Sequence, residues 1–394
     1  MKIVFIGGRD IHLIGGIESY MYNLASTLVR FGHHPIVFCE SNRNMIRFEN
    51  RIKVVYQKGP RSNLICKPLL GLIATVRALV TERHISVIHY NAWPPSLACW
   101  IPRLFGVRSL MQGHGLEWQR TKYSGRQQKI MKLMECVTAF MNQHLIMCSE
   151  AQSKYFKERY NKDAPTIPTA INIPEPDADD GTGARILSEY GLVPGRYFLF
   201  MSRLVQDKNP DYLIRAFGAL DNKGCKLVIA GDNEADRPYV EKLRELAAGN
   251  SSIVFTGAVY GRIKDVLFRN AYAYCLPSSI EGLSISLLEA MSYKLPIIAS
   301  DIEANREVLP RDNAVWVKPE DTGELLRGLQ CCMDHHREAH RPVFPGKLPD
   351  RSGELHMGRR CREISGISEI YWGEMTGIVN PDRMHIESVR PVRL

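Results

Sequence analysis

The feature that most constrains this fold is a repeated order of short, flat apolar runs and longer stretches of helical spacing. In the first half the runs are 2–6, 35–39, 52–56, 86–90, 108–112 and 144–148. They show no strict polar alternation, as expected of strands covered on both faces in a parallel sheet. Stretches 17–31, 66–83, 94–105 and 126–142 lie between them and read as helices. Strand–helix alternation of this kind implies a doubly wound parallel α/β sheet. The order restarts at 197–201 and continues through 226–230, 253–255, 273–276, 296–299 and 314–317. At 394 residues the chain exceeds one ordinary core and suits two domains.

Between the halves the pattern breaks. Pro165, Pro168, Pro174, Pro176 and the acidic run 177–180 read as a hinge. The expected divisions are a first domain over 1–175, a linker over 176–195, a second domain over 196–330 and an atypical tail over 331–394. The tail holds nine Arg, one Lys and five His with no sustained period. Two readings of it stay open: a divergent, loop-rich end, or a stretch outside the native reading frame.

Hydrophobic residues make up 45% and charged residues 24%, the profile of a soluble globular protein. The formal net charge of +9 suits nucleic acid, anionic lipid or a phosphorylated small molecule. No basic run reaches five residues, which argues against a nucleic-acid arm. The ten cysteines are irregularly spaced, with no C-x-x-C pair, so neither a zinc site nor a redox dithiol is expected. Free thiols point to a reducing, cytoplasmic compartment. Residues 1–8 read as a buried strand and not a signal peptide, and no apolar run approaches 18 residues.

Four constellations carry chemistry. Gly15-Gly16 precedes an amphipathic helix, where backbone amides can approach a phosphate or sugar. Taken alone it fits an ordinary strand–helix turn equally well. His114 lies between two glycines in Gln112-Gly113-His114-Gly115-Leu116-Glu117-Trp118, at the carboxyl end of a strand where ligand sites gather. The flanking glycines are expected to expose its ring; Arg120 and Lys122 can meet an anionic acceptor or simply be solvated. In Ser202-Arg203-Leu204-Val205-Gln206-Asp207-Lys208-Asn209, Arg203 and Lys208 sit on a strand–helix connection and form a clamp for a diphosphate.

Glu281-Gly282-Leu283-Ser284-Ile285-Ser286-Leu287-Leu288-Glu289 is the most specific of the four. Glu281 falls in a loop above the sheet and can reach sugar hydroxyls. Glu289 falls in an apolar helix expected to begin near Leu283, and an apolar helix rarely buries a carboxylate without a partner. The eight-residue spacing puts the two acids on a similar helical face. Backbone amides near Leu283 and Ser284 can hold phosphates. Asp177-Ala178-Asp179 matches a metal-binding D-x-D pattern, but it lies in the acidic linker and reads as solvated. No metal or cofactor is expected, and no P-loop, H-E-x-x-H or G-x-S-x-G motif is present.

Together and in this order, these features resemble the family 4 retaining glycosyltransferases of GT-B fold, over roughly residues 1–330. The resemblance implies two Rossmann-like domains facing each other across a cleft, the first binding the acceptor and the second a nucleotide-diphosphate sugar. It implies Arg203 and Lys208 on the diphosphate in place of a metal, Glu289 on the ribose, and Glu281 and His114 at the sugar. Gly16 would approach the phosphates or sugar; Gly231, Gly257 and Gly282 would line the nucleotide. It further implies hexosyl transfer with retention to a glycan or lipid-linked acceptor of cell-surface polysaccharide. An anionic membrane surface would meet the basic stretch of Arg47, Arg51, Lys53, Lys58, Arg61 and Lys67. The alternatives are a GT-B sugar-nucleotide 2-epimerase and a non-catalytic sugar-nucleotide or membrane-binding protein. The family's usual terminal helix bracing the first domain is not visible in the tail.

Overall fold

The computed structural model describes residues 1–11, 15–59, 63–120, 123–142, 144–169, 171, 174 and 181–335. The first half builds a seven-stranded sheet from β1 (Lys2–Gly8), β2 (His34–Ser41), β3 (Met45–Glu49), β4 (Ile52–Lys58), β5 (Ile85–Tyr90), β6 (Arg108–Gly113) and β7 (His144–Met147). The strand order is β3-β4-β2-β1-β5-β6-β7. Helices α1 (Gly16–Arg30), α2 (Asn63–Thr81), α3 (Trp100–Leu104), α4 (Gly125–Met141) and α5 (Glu150–Tyr160) accompany it. The second half builds a six-stranded parallel sheet from β8 (Tyr197–Met201), β9 (Lys226–Ala230), β10 (Ile253–Gly257), β11 (Ala273–Leu276), β12 (Ile297–Ser300) and β13 (Val315–Val317). Its order is β10-β9-β8-β11-β12-β13. The accompanying helices are α6 (Thr182–Glu189), α7 (Pro210–Gly218), α8 (Arg237–Leu246), α9 (Gly261–Arg269), α10 (Ile285–Ser292), α11 (Glu303–Val308) and α12 (Thr322–His335).

The flat apolar runs form strands because both of their faces are buried. On β8, Phe198 and Phe200 enter one core while Tyr197, Leu199 and Met201 enter the opposite one. On β1, Val4 and Ile6 divide from Ile3 and Phe5 in the same way. Each such side chain removed from water contributes about 1.5–3 kcal/mol.

Several elements depart from the sequence reading. The antiparallel edge strand β3 (Met45-Ile46-Arg47-Phe48-Glu49) went unrecognised because it is mostly exposed and alternates in polarity. The stretch 94–105 splits into a 3-10 turn at Pro95–Ala98 and the short α3; Pro94, Pro95 and Pro102 lack the amides a continuous helix needs. Helix α5 lies where the apolar pattern gives no helix, and it buries only Gln152, Phe156 and Tyr160. Helix α6 lies within 176–195, and its Ile186 and Leu187 pack into the second core, so this stretch is more than a linker. Helix α12 runs past residue 331 to His335, with Leu325, Leu329 and Cys332 buried. The acidic run 177–180, Lys122, Arg61 and residues 336–394 lie outside the described residues.

Strand order reverses between β1 and β5 and again between β8 and β11. Ligand crevices of open α/β sheets form at the carboxyl ends of strands at such switch points. The loops after β1, β8 and β11 occupy these two places.

Candidate active site

The second-domain half of the site is one braced unit. Asn209 takes the left-handed conformation (φ 51) between the loop after β8 and α7, with Pro210 at the first helical position. Its Nδ2 donates to the Pro277 carbonyl at 2.9 Å and to Ser279 Oγ at 2.7 Å, and the Ser279 N–H donates to the Asp207 carbonyl at 2.9 Å. These bonds tie the loop after β8 to the loop after β11. In consequence the Lys208 ammonium meets the Glu281 carboxylate, with both side chains largely buried.

Helix α10 starts at Ile285, with Ser284 as its N-cap accepting the Leu287 N–H at 3.4 Å. It therefore begins two residues later than expected, and Glu281 stands wholly in the preceding loop. The two carboxylates are not neighbours on a helix face. Each is held by its own lysine: Glu281 by Lys208, and Glu289 by Lys264 of α9 at 2.6 Å. No spacing rule signalled Lys264.

The glycines divide by their neighbours. A Cβ on Gly231 (φ +152) would lie 1.9 Å from the Ser202 carbonyl, so this glycine packs two loops together. Gly257 (φ +70) has open space beside it. A Cβ on Gly15 would lie 1.9 Å from Glu18 Oε2, because that carboxylate folds back over the start of α1. Gly16 faces Ile285 of the second domain, at 3.7 Å from the Cβ it lacks. A Cβ on Gly282 would meet the His114 carbonyl oxygen at 2.1 Å. The two domains thus leave no room for a side chain between Gly282 and the His114 loop.

That loop is held from beneath. Trp93 Nε1 donates to the Gly115 carbonyl at 2.9 Å, and Trp118 Nε1 donates to Glu135 at 3.1 Å. Glu135 is buried and also accepts from Tyr155 at 3.0 Å and Tyr160 at 2.8 Å. Burial raises its pKa and the three donors lower it in part. His114 is not displayed as expected. Its ring packs edge-on against Tyr20, with centroids 4.7 Å apart, and its Nε2 is buried with no protein partner. Burial pushes the imidazole down to about 4, with Glu18 and Glu117 acting in the opposite direction. It is neutral at pH 7.

Positive charge gathers across the cleft. Arg203 has a buried Nε without a protein partner. Burial lowers its pKa, and the guanidiniums of Arg120 and Arg9, both from the first domain, lower it further. Arg120 pairs with Glu117 at 3.4 Å, and its pKa is raised chiefly by that carboxylate. Arg9 donates through its N–H and Nε to Glu18 Oε1 at 3.1 and 3.3 Å. Burial pushes Glu18 up, yet Arg9, backbone N–H groups and Lys67 together hold it below its ordinary value. A buried guanidinium that also feels two further cations marks a place suited to an anion. Among the described residues no three His, Cys, Asp or Glu side chains gather as metal ligands.

The family model described as Glycosyltransferase Family 4 matches residues 14–174, and the model described as Glycosyl transferases group 1 matches residues 191–343. An uncharacterized glycosyltransferase of Methanocaldococcus jannaschii is 32% identical over 339 residues, covering 80% of this chain and 85% of that protein. The chain belongs to glycosyltransferase family 4. This glycosyltransferase is also 25% identical to a phosphatidyl-myo-inositol mannosyltransferase of Mycobacterium leprae, over 88% of its length and 91% of that enzyme's. Its GT-B fold matches sucrose-phosphate synthase from Thermosynechococcus elongatus, with TM-score 0.77 and 19% identity over 96% of this chain and 100% of that one. It also matches Anabaena HepE, solved with UDP and glucose, with TM-score 0.74 and 16% identity over 95% and 100%. Among the described residues of this family 4 enzyme, no helix is long and apolar enough to cross a membrane.

Proposed function

We propose that this glycosyltransferase moves a hexosyl group from a nucleotide-diphosphate sugar to a glycan or lipid-linked acceptor, with retention, in building cell-surface polysaccharide. The observation that carries this reading is that Lys208 and Glu281 are paired between the loops after β8 and β11, while Arg203, also in the loop after β8, has a buried Nε without a protein partner and feels the charges of Arg120 and Arg9. On binding, the diphosphate draws Lys208 from Glu281 and accepts from Arg203 and the first amides of α10. Glu289 takes the ribose hydroxyls in place of the Lys264 ammonium. Glu281, released, accepts from the sugar hydroxyls. Neutral His114 offers its buried Nε2 to the sugar ring. The sugar C1–O(phosphate) bond breaks and the acceptor oxygen bonds C1 on the same face, while its proton passes to the leaving phosphate. Cations preorganised around the developing phosphate charge are the main catalytic contribution. We infer that they serve where other transferases use a divalent ion.

For the acceptor, a small recess opens in the first domain beside Gly7 and Gly8, lined by Glu40, Gln57 and Lys67. The Gln57 Oε1 is buried there without a protein partner. The Mycobacterium leprae relative, named for a phosphatidyl-myo-inositol acceptor, favours a lipid-linked substrate. Helix α2 supports the same reading by exposing Leu69, Leu72, Ile73, Val76 and Val80, next to exposed Trp100 and Leu104 of α3. Arg83 follows α2 in the chain, Arg103 lies in α3 and Arg108 opens β6, and all three are exposed. We assign the contact with an anionic inner membrane surface to this face of α2 and α3. The basic stretch around 47–67 suits that role less well, because Lys53 pairs with Glu82 at 2.5 Å and Lys67 acts on Glu18.

Thermal-shift titration against UDP-, GDP-, ADP- and dTDP-sugars, with and without EDTA, tests the proposal. At least one donor is expected to stabilise the chain equally in both conditions. Lys208→Ala is expected to lower kcat/KM by 10²–10³-fold, or about 3–4 kcal/mol. Stabilisation by no donor overturns the donor assignment, loss with EDTA overturns metal independence, and an epimerised donor as the product overturns transfer.

A further inference from the structure

We propose that Glu307 is a positioning residue that holds the two domains in the closed arrangement needed for transfer, by capping helix α5 from across the cleft. Helix α5 begins just past β7, at the carboxyl edge of the first sheet; α11 begins just past β12, at the carboxyl edge of the second. Glu307 Oε1 accepts the N–H of Glu150 at 2.5 Å and its Oε2 accepts the N–H of Ala151 at 3.2 Å. The next amide, that of Gln152, donates to the local cap Ser149 Oγ at 3.4 Å.

The first amides of any α-helix have no partner within the helix, and its positive end favours an anion. Here the first domain satisfies one of three such amides and the second domain satisfies the other two. Two consecutive N–H groups on the two oxygens of one carboxylate fix orientation as well as distance. The neighbouring Arg306 is engaged with Asp301, its Nη2 at 2.5 Å from Oδ2, so it stands as that acid's partner.

The same turn of α5 reaches the site. A Cβ on Gly282 would lie 3.1 Å from Gln152 Nε2 as well as 2.1 Å from the His114 carbonyl. Fixing α5 on α11 therefore fixes the spacing between the His114 loop and the Glu281–Gly282 loop. Glu307 touches neither donor nor acceptor in this scheme. It acts on turnover by registering His114 against Glu281, whereas the residues assigned to touch the nucleotide (Lys208, Arg203, Glu289 and the first amides of α10) all lie in the second domain.

The inference rests on membership of the transferase family for its activity arm and on geometry alone for its structural arm. In the full chain, Glu307→Ala is expected to raise amide exchange in the peptide spanning Glu150 and Ala151 at least tenfold and to enlarge the radius of gyration in small-angle scattering. Glu307→Gln keeps one acceptor oxygen and is expected to fall between wild type and Glu307→Ala. With whichever of UDP-glucose or GDP-mannose the wild type hydrolyses, Glu307→Ala is expected to lower kcat at least tenfold while KM stays within twofold. Unchanged exchange and scattering in a folded Glu307→Ala variant overturn the latch. A rise in KM matching the fall in kcat overturns the positioning role. Wild-type chain that hydrolyses neither donor leaves exchange and scattering to decide the latch, and counts against the donor assignment alone.

Discussion

Lys264 on α9 donates to Glu289 on α10 at 2.6 Å, so the carboxylate assigned to the ribose is paired before any nucleotide arrives. A ribose that displaces the ammonium exchanges one set of donors for another. Glu289→Ala removes the acceptor itself and is expected to weaken binding of whichever of UDP or GDP the wild type takes by about 30-fold, near 2 kcal/mol for hydrogen bonds to a charged group. Lys264→Met keeps the aliphatic stem and is expected to change the same affinity less than threefold. Isothermal calorimetry on both variants checks the pair, and equal losses would refute the exchange.

Gly282 tests how closely the domains must approach. Alanine there would set a Cβ 2.1 Å from the His114 carbonyl oxygen, a backbone atom that cannot swing aside. The cleft must open by about 1 Å, and displacement of that size costs on the order of 100-fold in rate. Gly282→Ala is expected to lower kcat by that factor with nucleotide affinity within threefold, since the second domain keeps its own fold. Steady-state kinetics and calorimetry on one preparation decide it.

Stability is expected to fall in mild acid. Burial pushes His89 down to about 3 and His114 to about 4, whereas in the unfolded chain both return to about 6.5. Between those values the unfolded state binds protons that the folded state does not. Stability is therefore complete above pH 6.5 and is lost as pH falls toward 4. Urea midpoints at pH 7.5, 5.5 and 4.5 should decline in that order. A flat series would show that these rings are hydrated.

The exposed face of α2 and α3 is expected to bind vesicles containing phosphatidylglycerol and to ignore those of phosphatidylcholine alone. Val76→Asp sits on the exposed stripe of α2 and is expected to reduce co-sedimentation at least fivefold while leaving nucleotide affinity unchanged. Equal binding to both vesicle types removes the membrane assignment.

Much of this molecule could be read along the chain. Period and burial are local properties, so Tyr197–Met201 declared a two-faced strand and Glu281–Glu289 a loop leading into a helix. The misreadings have local causes as well. Strand β3 is exposed and charged, prolines interrupt 94–105, and the helical-face relation given to Glu281 and Glu289 failed because α10 starts only after its Ser284 cap. What no local pattern encodes is the partner of each charge. Lys208 and Glu281 lie 73 residues apart, Lys264 and Glu289 lie 25 apart, and Glu307 reaches across 157 residues to Glu150. The sequence by itself determined the parallel strands of two sheets, their switch-point loops and the residue types placed there, because propensity and hydrophobic period act over a few residues. Only the tertiary structure decided that Arg9 and Arg120 act on Arg203, that the His114 ring turns its Nε2 inward beside Tyr20 and is neutral, and that Gly282 must lack a side chain. Those outcomes depend on how two separately folded sheets close on one another.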